Sequence, residues 1–224
     1  MVVVKARPVE AELNIEPFLP ELERLGPAGR EARRLDPRSV EALKSAGFIR
    51  SLLPRDEGGL EVTPQEFFAA QMAIAEQDMA TAWAGGIIAV HAYQLALMDK
   101  RARDTVYADG PDVCISSSYN PVGAKCEAVE GGVMVSGRWG WSSGTDHCTW
   151  CLLGGVIPGE GYRTFLIPNT DYVVEDTWYA MGLEGTGSND IVIDKPVFVP
   201  DHMTHKQMDG FNCVNEQQNP MYSI

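Results

Sequence analysis

Three short segments hold hydroxyl, amide and indole groups at a density that a folded core does not require. They are SSSYNP at 116–121, WGWSSGTDH at 139–147 and GTGSN at 185–189. Serine hydroxyls and backbone amides beside glycine can hydrogen-bond the edge of a planar polar ligand, and an indole can stack on its face. The same residue types also dominate ordinary turns, so the spacing alone leaves both interpretations open.

A stripe of side chains on one predicted helix supplies a candidate base. Trp83, Ile87, His91 and Leu95 recur at steps of four, which places them near one face of a helix that begins after Asp78. Histidine titrates near neutral pH and is therefore the commonest general acid or base. A lone histidine on an apolar helix face is more often a buried structural residue, and the spacing does not decide between the two roles.

Cys148 and Cys151 form a C-x-x-C pair in a chain that has five cysteines. A redox pair would lie at the start of a helix, and a zinc site would need a second pair of ligands. The residues WCLLGGVIP instead predict a strand, in which positions three apart face opposite sides. We therefore expect structural cysteines, no metal site and no secreted disulfide framework.

The first 110 residues carry the capping and periodicity signals of helices. Asp36 caps one helix, Thr63 and Glu66 form a capping box for the next, and Asp78 caps the helix that carries the histidine. A short helix follows at about 101–108, and a Gly-Pro break ends this block. The sequence thus predicts an N-terminal helical domain over 1–110.

The apolar pattern changes to alternation after residue 110, which indicates strands. One run precedes a Glu-Gly-Gly turn, and the others lie at 133–141, 149–157, 162–167, 172–178 and 190–199. Six short strands separated by turn residues predict an antiparallel barrel or sandwich. The predicted fold class is therefore α+β, with a β domain over 111–205 and an irregular tail over 206–224, polar from His202 onward.

The charge balance excludes two classes of partner. The 224 residues include 31 acidic and 18 basic side chains, for a net charge of -13. Nucleic acids and anionic membrane surfaces bind cationic faces, so neither is an expected partner. No apolar run reaches membrane-spanning length and no signal peptide is evident, which makes the cytoplasm the default location.

The motifs, taken in order, are similar to those of the acyl-CoA dehydrogenase superfamily. SSSYNPVGA, GRWGWSSGTDHCTWCLLGG and LEGTGSNDIVI follow a run of helices, and FIRSLLPRDEGGLEVTP and VHAYQLALMDKRA also fit, so the resemblance covers nearly the whole chain. Within the superfamily the chain resembles the oxygenase components of two-component flavin-dependent monooxygenases, especially the type that hydroxylates a phenolic secosteroid in bacterial steroid degradation.

The resemblance implies a role for each matching residue. It places two tryptophans against the flavin, a histidine against the substrate phenol as its base, and a serine near the reactive N5 edge of the flavin; these are Trp83, Trp141, His91 and Ser143. Further hydrogen bonds to the cofactor are implied for Ser117, Ser118, Tyr119 and Ser142.

The resemblance also implies a mechanism. A separate NADH-dependent flavin reductase supplies reduced FMN or FAD, and O₂ adds to it to give a C4a-hydroperoxyflavin that hydroxylates the carbon next to the phenol hydroxyl. The family carries a further C-terminal four-helix bundle that completes the flavin pocket and builds a homotetramer. We expect the chain to stop before that bundle, which would leave it inactive by itself and its stripe of Ile87 and Leu95 exposed.

Two alternatives stay open at this stage. A flavoprotein of the acyl-CoA dehydrogenase type is one, although dehydrogenases of the superfamily carry a Thr-Glu-Pro-like run where this chain has SYNP at 118–121. The other is a non-catalytic fragment that serves as an interaction module and binds neither flavin nor substrate.

Overall fold

The computed structural model describes residues 12–206 and 220–223. Five α-helices come first in this part of the chain: α1 Leu19–Ala32, α2 Pro37–Ser45, α3 Pro64–Gln77, α4 Met79–Ala96 and α5 Lys100–Val106. Eight strands follow: β1 Ile115–Ser118, β2 Ala124–Val129, β3 Gly132–Ser142, β4 Trp150–Ile157, β5 Gly161–Pro168, β6 Val173–Glu175, β7 Asn189–Pro200 and β8 Thr204–His205. The predicted α+β class is confirmed. Within the described residues no helix is both long and apolar enough to cross a bilayer.

The predicted helix starts are confirmed by their hydrogen bonds. The Asp36 carboxylate accepts from the Arg38 N–H, and the Asp78 carboxylate accepts from the Thr81 N–H. At the start of α3, Thr63 and Glu66 satisfy each other's backbone N–H groups in a capping box. Each cap satisfies donors that a helix cannot satisfy internally and stabilises it by about 1 kcal/mol.

The strands form two four-stranded sheets. One has the order β1-β4-β5-β8 and the other the order β2-β3-β7-β6. The expectation of a wholly antiparallel β domain is wrong at one pair, because β1 and β4 are parallel, with Ile115 opposite Trp150. The chain leaves β1 to form β2 and β3 in the other sheet and then returns, so β4 runs in the same direction as β1.

The strand count also differs from the prediction, since residues 12–206 contain eight strands rather than six. One of the additional strands, β8, lies in the segment that was predicted to be irregular from His202 onward, and it pairs His205 with Thr164 of β5. Farther along the tail, Tyr222 is fully buried and its hydroxyl donates to the Leu52 carbonyl at 2.9 Å. Residues 207–219 of the predicted tail lie outside the described residues.

Helix α4 belongs to the two large hydrophobic cores of the described residues. Its first two and a half turns, as far as Ile88, pack with the other helices around Phe48 and Phe67. Its C-terminal end places Leu95 in the core of the sheets beside residues such as Trp139. The expectation that Leu95 lies on an exposed stripe is therefore wrong. A step of four residues advances 400° around a helix, so a stripe that starts exposed turns inward over three steps.

Candidate functional site

Strand β3 ends in a strained backbone that turns one tryptophan outward. Residues two apart on a regular strand share a face, yet Trp139 is buried while Trp141 is 74% exposed. A bulge between Trp139 and Ser142 breaks the register, and Trp141 adopts a φ of +63°. A bulky residue in the left-handed region costs about 1–3 kcal/mol and is typical of functional sites. The backbone thus presents a bare indole face to solvent.

A chain of hydroxyl groups lies next to this tryptophan. The Trp83 indole N–H on α4 donates to Ser143 Oγ at 3.1 Å. Ser143 Oγ lies 2.8 Å from Ser188 Oγ, which lies 2.7 Å from Thr186 Oγ1. All three hydroxyl residues are buried, with Ser143 the most exposed of them at 7%. This series of hydroxyl groups therefore runs from the interior toward the surface near Trp141.

The turn that carries Thr186 and Ser188 is held by backbone bonds. The Gly144 N–H donates to the Thr186 carbonyl at 2.8 Å, which joins this turn to the end of β3. Gly187 between the two hydroxyl residues has a φ of +53°. The Asn189 side-chain oxygen accepts from the backbone N–H groups of residues 177 and 178, both at 3.1 Å. These backbone bonds hold Ser188 in a fixed position.

His91 is buried on α4 in a defined tautomer. Its Nδ1–H donates to the Ile115 carbonyl at 2.8 Å, which leaves Nε2 as the acceptor nitrogen of the neutral ring. Burial lowers the pKa of His91 to about 4, against a smaller opposing effect of that hydrogen bond. The ring is therefore neutral near pH 7 and can accept a hydrogen bond.

Tyr119 connects His91 to a second polar group. Its ring centroid lies 6.2 Å from that of His91, and its hydroxyl donates to Gln94 Oε1 at 2.5 Å. Burial raises the pKa of the Tyr119 phenol, while the Ser117 hydroxyl acts in the opposite direction. The Gln94 amide nitrogen lies 3.2 Å from Thr164 Oγ1 and 3.3 Å from a ring nitrogen of His205. Gln94 therefore fixes the direction of the Tyr119 hydroxyl.

Two of the predicted cofactor residues are engaged within the protein. Ser142 is fully buried, and its Oγ lies 3.9 Å from Cys151 Sγ. The Ser118 hydroxyl donates to the Gly140 carbonyl at 2.6 Å. The structure brings the predicted residues together as two groups, one around Ser143 and the other around His91, and these two hydroxyls support the strand ends beside them.

The C-x-x-C pair lies in the interior. Cys151 is in β4, as predicted, Cys148 lies two residues before that strand begins, and both are free thiols. Burial raises the pKa of the Cys151 thiol to about 12 and that of Cys148 well above its ordinary value. Among the described residues no group of three His, Cys, Asp or Glu side chains could hold a metal ion.

Three residues of these polar groups were not predicted as site residues. Gln94 follows His91 by three positions, a spacing that places both near one face of α4, and this signal could have identified it. Thr186 and Ser188 lie in a segment whose hydroxyl content was noted, but nothing local indicated that they reach Ser143. That contact forms across 45 residues of chain.

Comparison with known proteins finds relatives along almost the whole chain. It is 40% identical over 218 residues to the flavin-dependent monooxygenase, oxygenase subunit HsaA, of Mycobacterium tuberculosis, an alignment that covers 94% of this chain and 55% of the relative. It is 34% identical over 177 residues to the FADH(2)-dependent resorcinol hydroxylase, oxygenase component, of a Rhizobium species, covering 77% of this chain and 43% of the relative. None of the protein-family models compared with the chain matches it.

The solved structures agree with these relatives. The crystal structure of a 3-HSA hydroxylase from Rhodococcus sp. RHA1 superposes with a TM-score of 0.89 at 36% identity, covering 97% of this chain and 59% of that chain. The fold implied by the resemblance is therefore confirmed for the part that this chain spans. The chain spans about half the length of the curated relatives it matches, 55% and 43% in the two cases above.

Proposed function

The chain belongs to the family of flavin-dependent monooxygenase oxygenase subunits, and from this membership we propose that the protein uses reduced flavin and O₂ to hydroxylate a phenolic ring next to its hydroxyl group. A bound reduced flavin would supply the electrons that activate O₂. The chain's own residues would bind and orient the flavin and the phenol and keep water away from both.

The observation that carries the proposal is the strained, exposed Trp141 beside the hydroxyl chain at Ser143. A flavin ring is planar and polar along one edge, so it needs an aromatic face to stack on and hydroxyl groups at its rim. The indole of Trp141 offers the face, and Ser143 Oγ, at the outer end of its chain, offers the polar contact to the N5 edge. The residues present thus fit a flavin.

The other predicted cofactor residues take supporting positions in this proposal. Trp83 packs beside the flavin while its N–H fixes Ser143, and Ser117 and Tyr119 contact its polar edge. Ser118 and Ser142 hold the ends of β1 and β3 in place.

His91 acts in the proposal as the hydrogen-bond acceptor for the substrate phenol. A phenol has a pKa of about 10, so full proton transfer to a ring with a pKa of about 4 would cost about 8 kcal/mol. A hydrogen bond from the phenol to Nε2 avoids that cost and still draws electron density into the ring. The resemblance implies a base that removes the phenol proton, and we propose instead that Nε2 of the neutral ring accepts a hydrogen bond from the phenol.

Reduced flavin would come from a separate flavin reductase that uses NADH, which accords with the words "oxygenase subunit" and "oxygenase component" in the names of the relatives. A cofactor that moves between two proteins must be held in the oxidation state in which it arrives. We therefore expect the protein to bind reduced FMN or FAD more tightly than the oxidised form.

Anaerobic titration of the intact protein with each redox form of FMN and FAD tests the flavin site, followed by oxygen addition with a phenol. We expect tighter binding of the reduced form, a hydroxylated phenol, and weaker binding of both forms by Trp141→Ala. Equal affinity for the two redox forms would contradict the shuttled cofactor. Oxidation of an acyl-CoA thioester in place of phenol hydroxylation would assign the protein to the dehydrogenases.

A further inference from the structure

The hydroxyl chain at Ser143 has a property that follows from counting its protons. An indole N–H can only donate, so the bond from Trp83 always occupies one lone pair of Ser143 Oγ. Each hydroxyl of Ser143, Ser188 and Thr186 has one proton to place. The two bonds between these three oxygens, at 2.8 and 2.7 Å, can therefore point in either direction.

The direction of these hydrogen bonds decides whether Ser143 donates to a ligand or accepts from it. When Thr186 donates to Ser188 and Ser188 donates to Ser143, both lone pairs of Ser143 are occupied and its proton points outward. When Ser143 donates to Ser188 and Ser188 to Thr186, Ser143 keeps one lone pair for the ligand. The same residue is thus a donor in one arrangement and an acceptor in the other.

The N5 edge of a flavin makes the matching change between its redox forms. In reduced flavin N5 carries a hydrogen and donates, whereas in oxidised flavin N5 carries only a lone pair and accepts. We propose that Ser188 and Thr186 are positioning residues that let Ser143 accept from reduced flavin, and that they thereby set the preference of the site for the reduced form. This inference rests on the proposed flavin site.

Neither residue is placed to contact the flavin directly. Ser188 is 4% exposed and Thr186 is 1% exposed, and both lie behind Ser143 on a turn that Gly144 and Asn189 hold in place. They can act on the ligand only through Ser143. Removing either hydroxyl should therefore change which redox form is preferred, and not only the overall affinity.

Two substitutions test the arrangement in which Ser143 accepts from the ligand. Ser188→Ala removes the inward acceptor, so Ser143 could accept from the ligand only with its own proton unpaired, and the acceptor arrangement is disfavoured. Thr186→Val leaves the Ser188 proton without its inward partner and disfavours the same arrangement. One net hydrogen bond corresponds to about 3- to 10-fold in affinity. We expect the ratio of oxidised to reduced dissociation constants to fall by about that factor in each variant.

The matched controls keep the hydroxyl or remove one elsewhere. Thr186→Ser retains the hydroxyl and should keep the original ratio. Ser51→Ala removes an equally buried hydroxyl that donates to the Phe48 carbonyl at 2.7 Å in the helical core, and it should also leave the ratio unchanged. Thermal unfolding of each variant shows whether it folds, and the Thr186→Val and Thr186→Ser pair carries the test if Ser188→Ala does not fold.

The decisive readout is the pair of dissociation constants, measured anaerobically with reduced and oxidised FMN on the intact protein. A ratio that stays constant in Ser188→Ala and Thr186→Val, while flavin still binds, overturns the positioning role and leaves the proposed function intact. A lack of flavin binding by the unsubstituted protein overturns the proposed function, and the inference falls with it.

Discussion

The surroundings of His91 fix the charge, the tautomer and the orientation of its ring. The Ile115 carbonyl accepts a hydrogen bond from Nδ1–H, and burial keeps the ring neutral near pH 7. Tyr119 lies beside it with its own proton committed to Gln94. A substrate phenol that enters this group meets acceptors rather than donors. This arrangement favours a ligand that carries a hydroxyl group, because a ligand without one would leave buried polar atoms unpaired.

We expect His91→Ala to uncouple oxygen consumption from hydroxylation. Without Nε2 the phenol loses the acceptor that orients and activates it, whereas the flavin contacts around Ser143 stay in place. Hydroxylation should slow by about 5- to 150-fold, because the buried phenol hydroxyl is left without its acceptor at a cost of about 1–3 kcal/mol, and more H₂O₂ should form per O₂ consumed. Product and peroxide are measured together in the complete system with reductase and NADH.

His147 provides the matched control for that experiment. Its ring also donates to a backbone carbonyl, that of Leu35 at 3.0 Å, but it lies on the turn after β3 and not on α4. His147→Ala should lower stability and leave the ratio of product to peroxide unchanged. Normal coupling in His91→Ala would reduce His91 to a packing residue.

The stability of the protein should also depend on His91 as the pH falls. The folded pKa of about 4 lies below the ordinary 6.5, so the unfolded chain binds a proton between these values that the native state refuses. Stability from this source is complete above pH 6.5 and is lost as the pH falls toward 4. Between pH 7 and pH 4.5 the linkage amounts to about 2 kcal/mol.

Urea unfolding at both pH values, on the unsubstituted protein and on His91→Gln, measures this effect. The Gln variant should lose about 2 kcal/mol less between the two pH values, because it lacks the titrating ring. Burial also lowers the pKa of His147 and of His205, and both act equally in the two proteins. Identical pH dependence in the two proteins would mean that His91 titrates normally.

At the level of elements, local signals predicted most helices and long strands. The caps at Asp36, Thr63 and Asp78 are short-range hydrogen bonds, so the residues that form them are visible in the sequence. The alternation that predicted a strand at 190–199 likewise reports burial on one face of β7.

The features that the sequence did not predict depend on distant contacts. The outward turn of Trp141 arises from the bulge against β7, and alternation alone would place it on the same side as Trp139. The parallel pairing of β1 with β4 depends on where the intervening hairpin goes. Leu95 is buried because the sheets pack against the end of α4. Each requires the tertiary arrangement, and the same holds for Ser188 at the site.

The turn between β6 and β7 positions Ser188 through a glycine at which a side chain would be crowded and strained. Gly187 has a φ of +53°, and a Cβ there would lie 2.7 Å from Asp146 Oδ2 and 3.2 Å from the Arg33 carbonyl. We expect Gly187→Ala to lower the free energy of unfolding by about 2–3 kcal/mol and to weaken flavin binding, because the turn must move.

Substitution of Gly131 is the control that separates the effect of the clash from the effect of the left-handed backbone conformation. Its φ is +77°, and no atom lies within 4 Å of a Cβ built there. Gly131→Ala should therefore show only the cost of a left-handed alanine, about 1 kcal/mol, and normal flavin binding. Urea unfolding compares the two variants, and equal losses would show that the contacts around Gly187 do not hold the turn.

At the scale of the whole molecule, the candidate site lies where the helices meet the sheets. Trp83 and His91 belong to α4, whereas Ser143 and Tyr119 follow strands. A further connection joins the two parts nearby: the Arg33 guanidinium at the end of α1 makes two bonds to the Asp176 carboxylate, at 2.6 and 2.7 Å. Any relative movement of the two parts would change the distances on which the proposed chemistry depends.

Helix α4 should make the two parts unfold as one unit, because it contributes to both cores. Leu95 is fully buried among sheet residues although it is helical, and Ile88, two turns earlier, is buried among helices. Replacing either by alanine leaves a cavity and should lower the free energy of unfolding by about 2–5 kcal/mol. If α4 couples the cores, each substitution lowers the midpoints of helix loss and sheet loss together. Far-UV circular dichroism follows the helices, and tryptophan fluorescence reports mainly on the strand-containing part, which holds four of the five tryptophans, including the buried Trp139.

Met72 on α3 is the control for these two substitutions, because it is 66% exposed and its replacement by alanine should change stability by less than about 0.5 kcal/mol. Coincident urea transitions by the two probes, in Leu95→Ala and in Ile88→Ala, are the expected result. The contrary result is a Leu95→Ala protein whose fluorescence midpoint falls to lower urea while its circular dichroism midpoint stays unchanged. That result would show that the two parts unfold independently. The site would then lie across a joint rather than within a single cooperative structure.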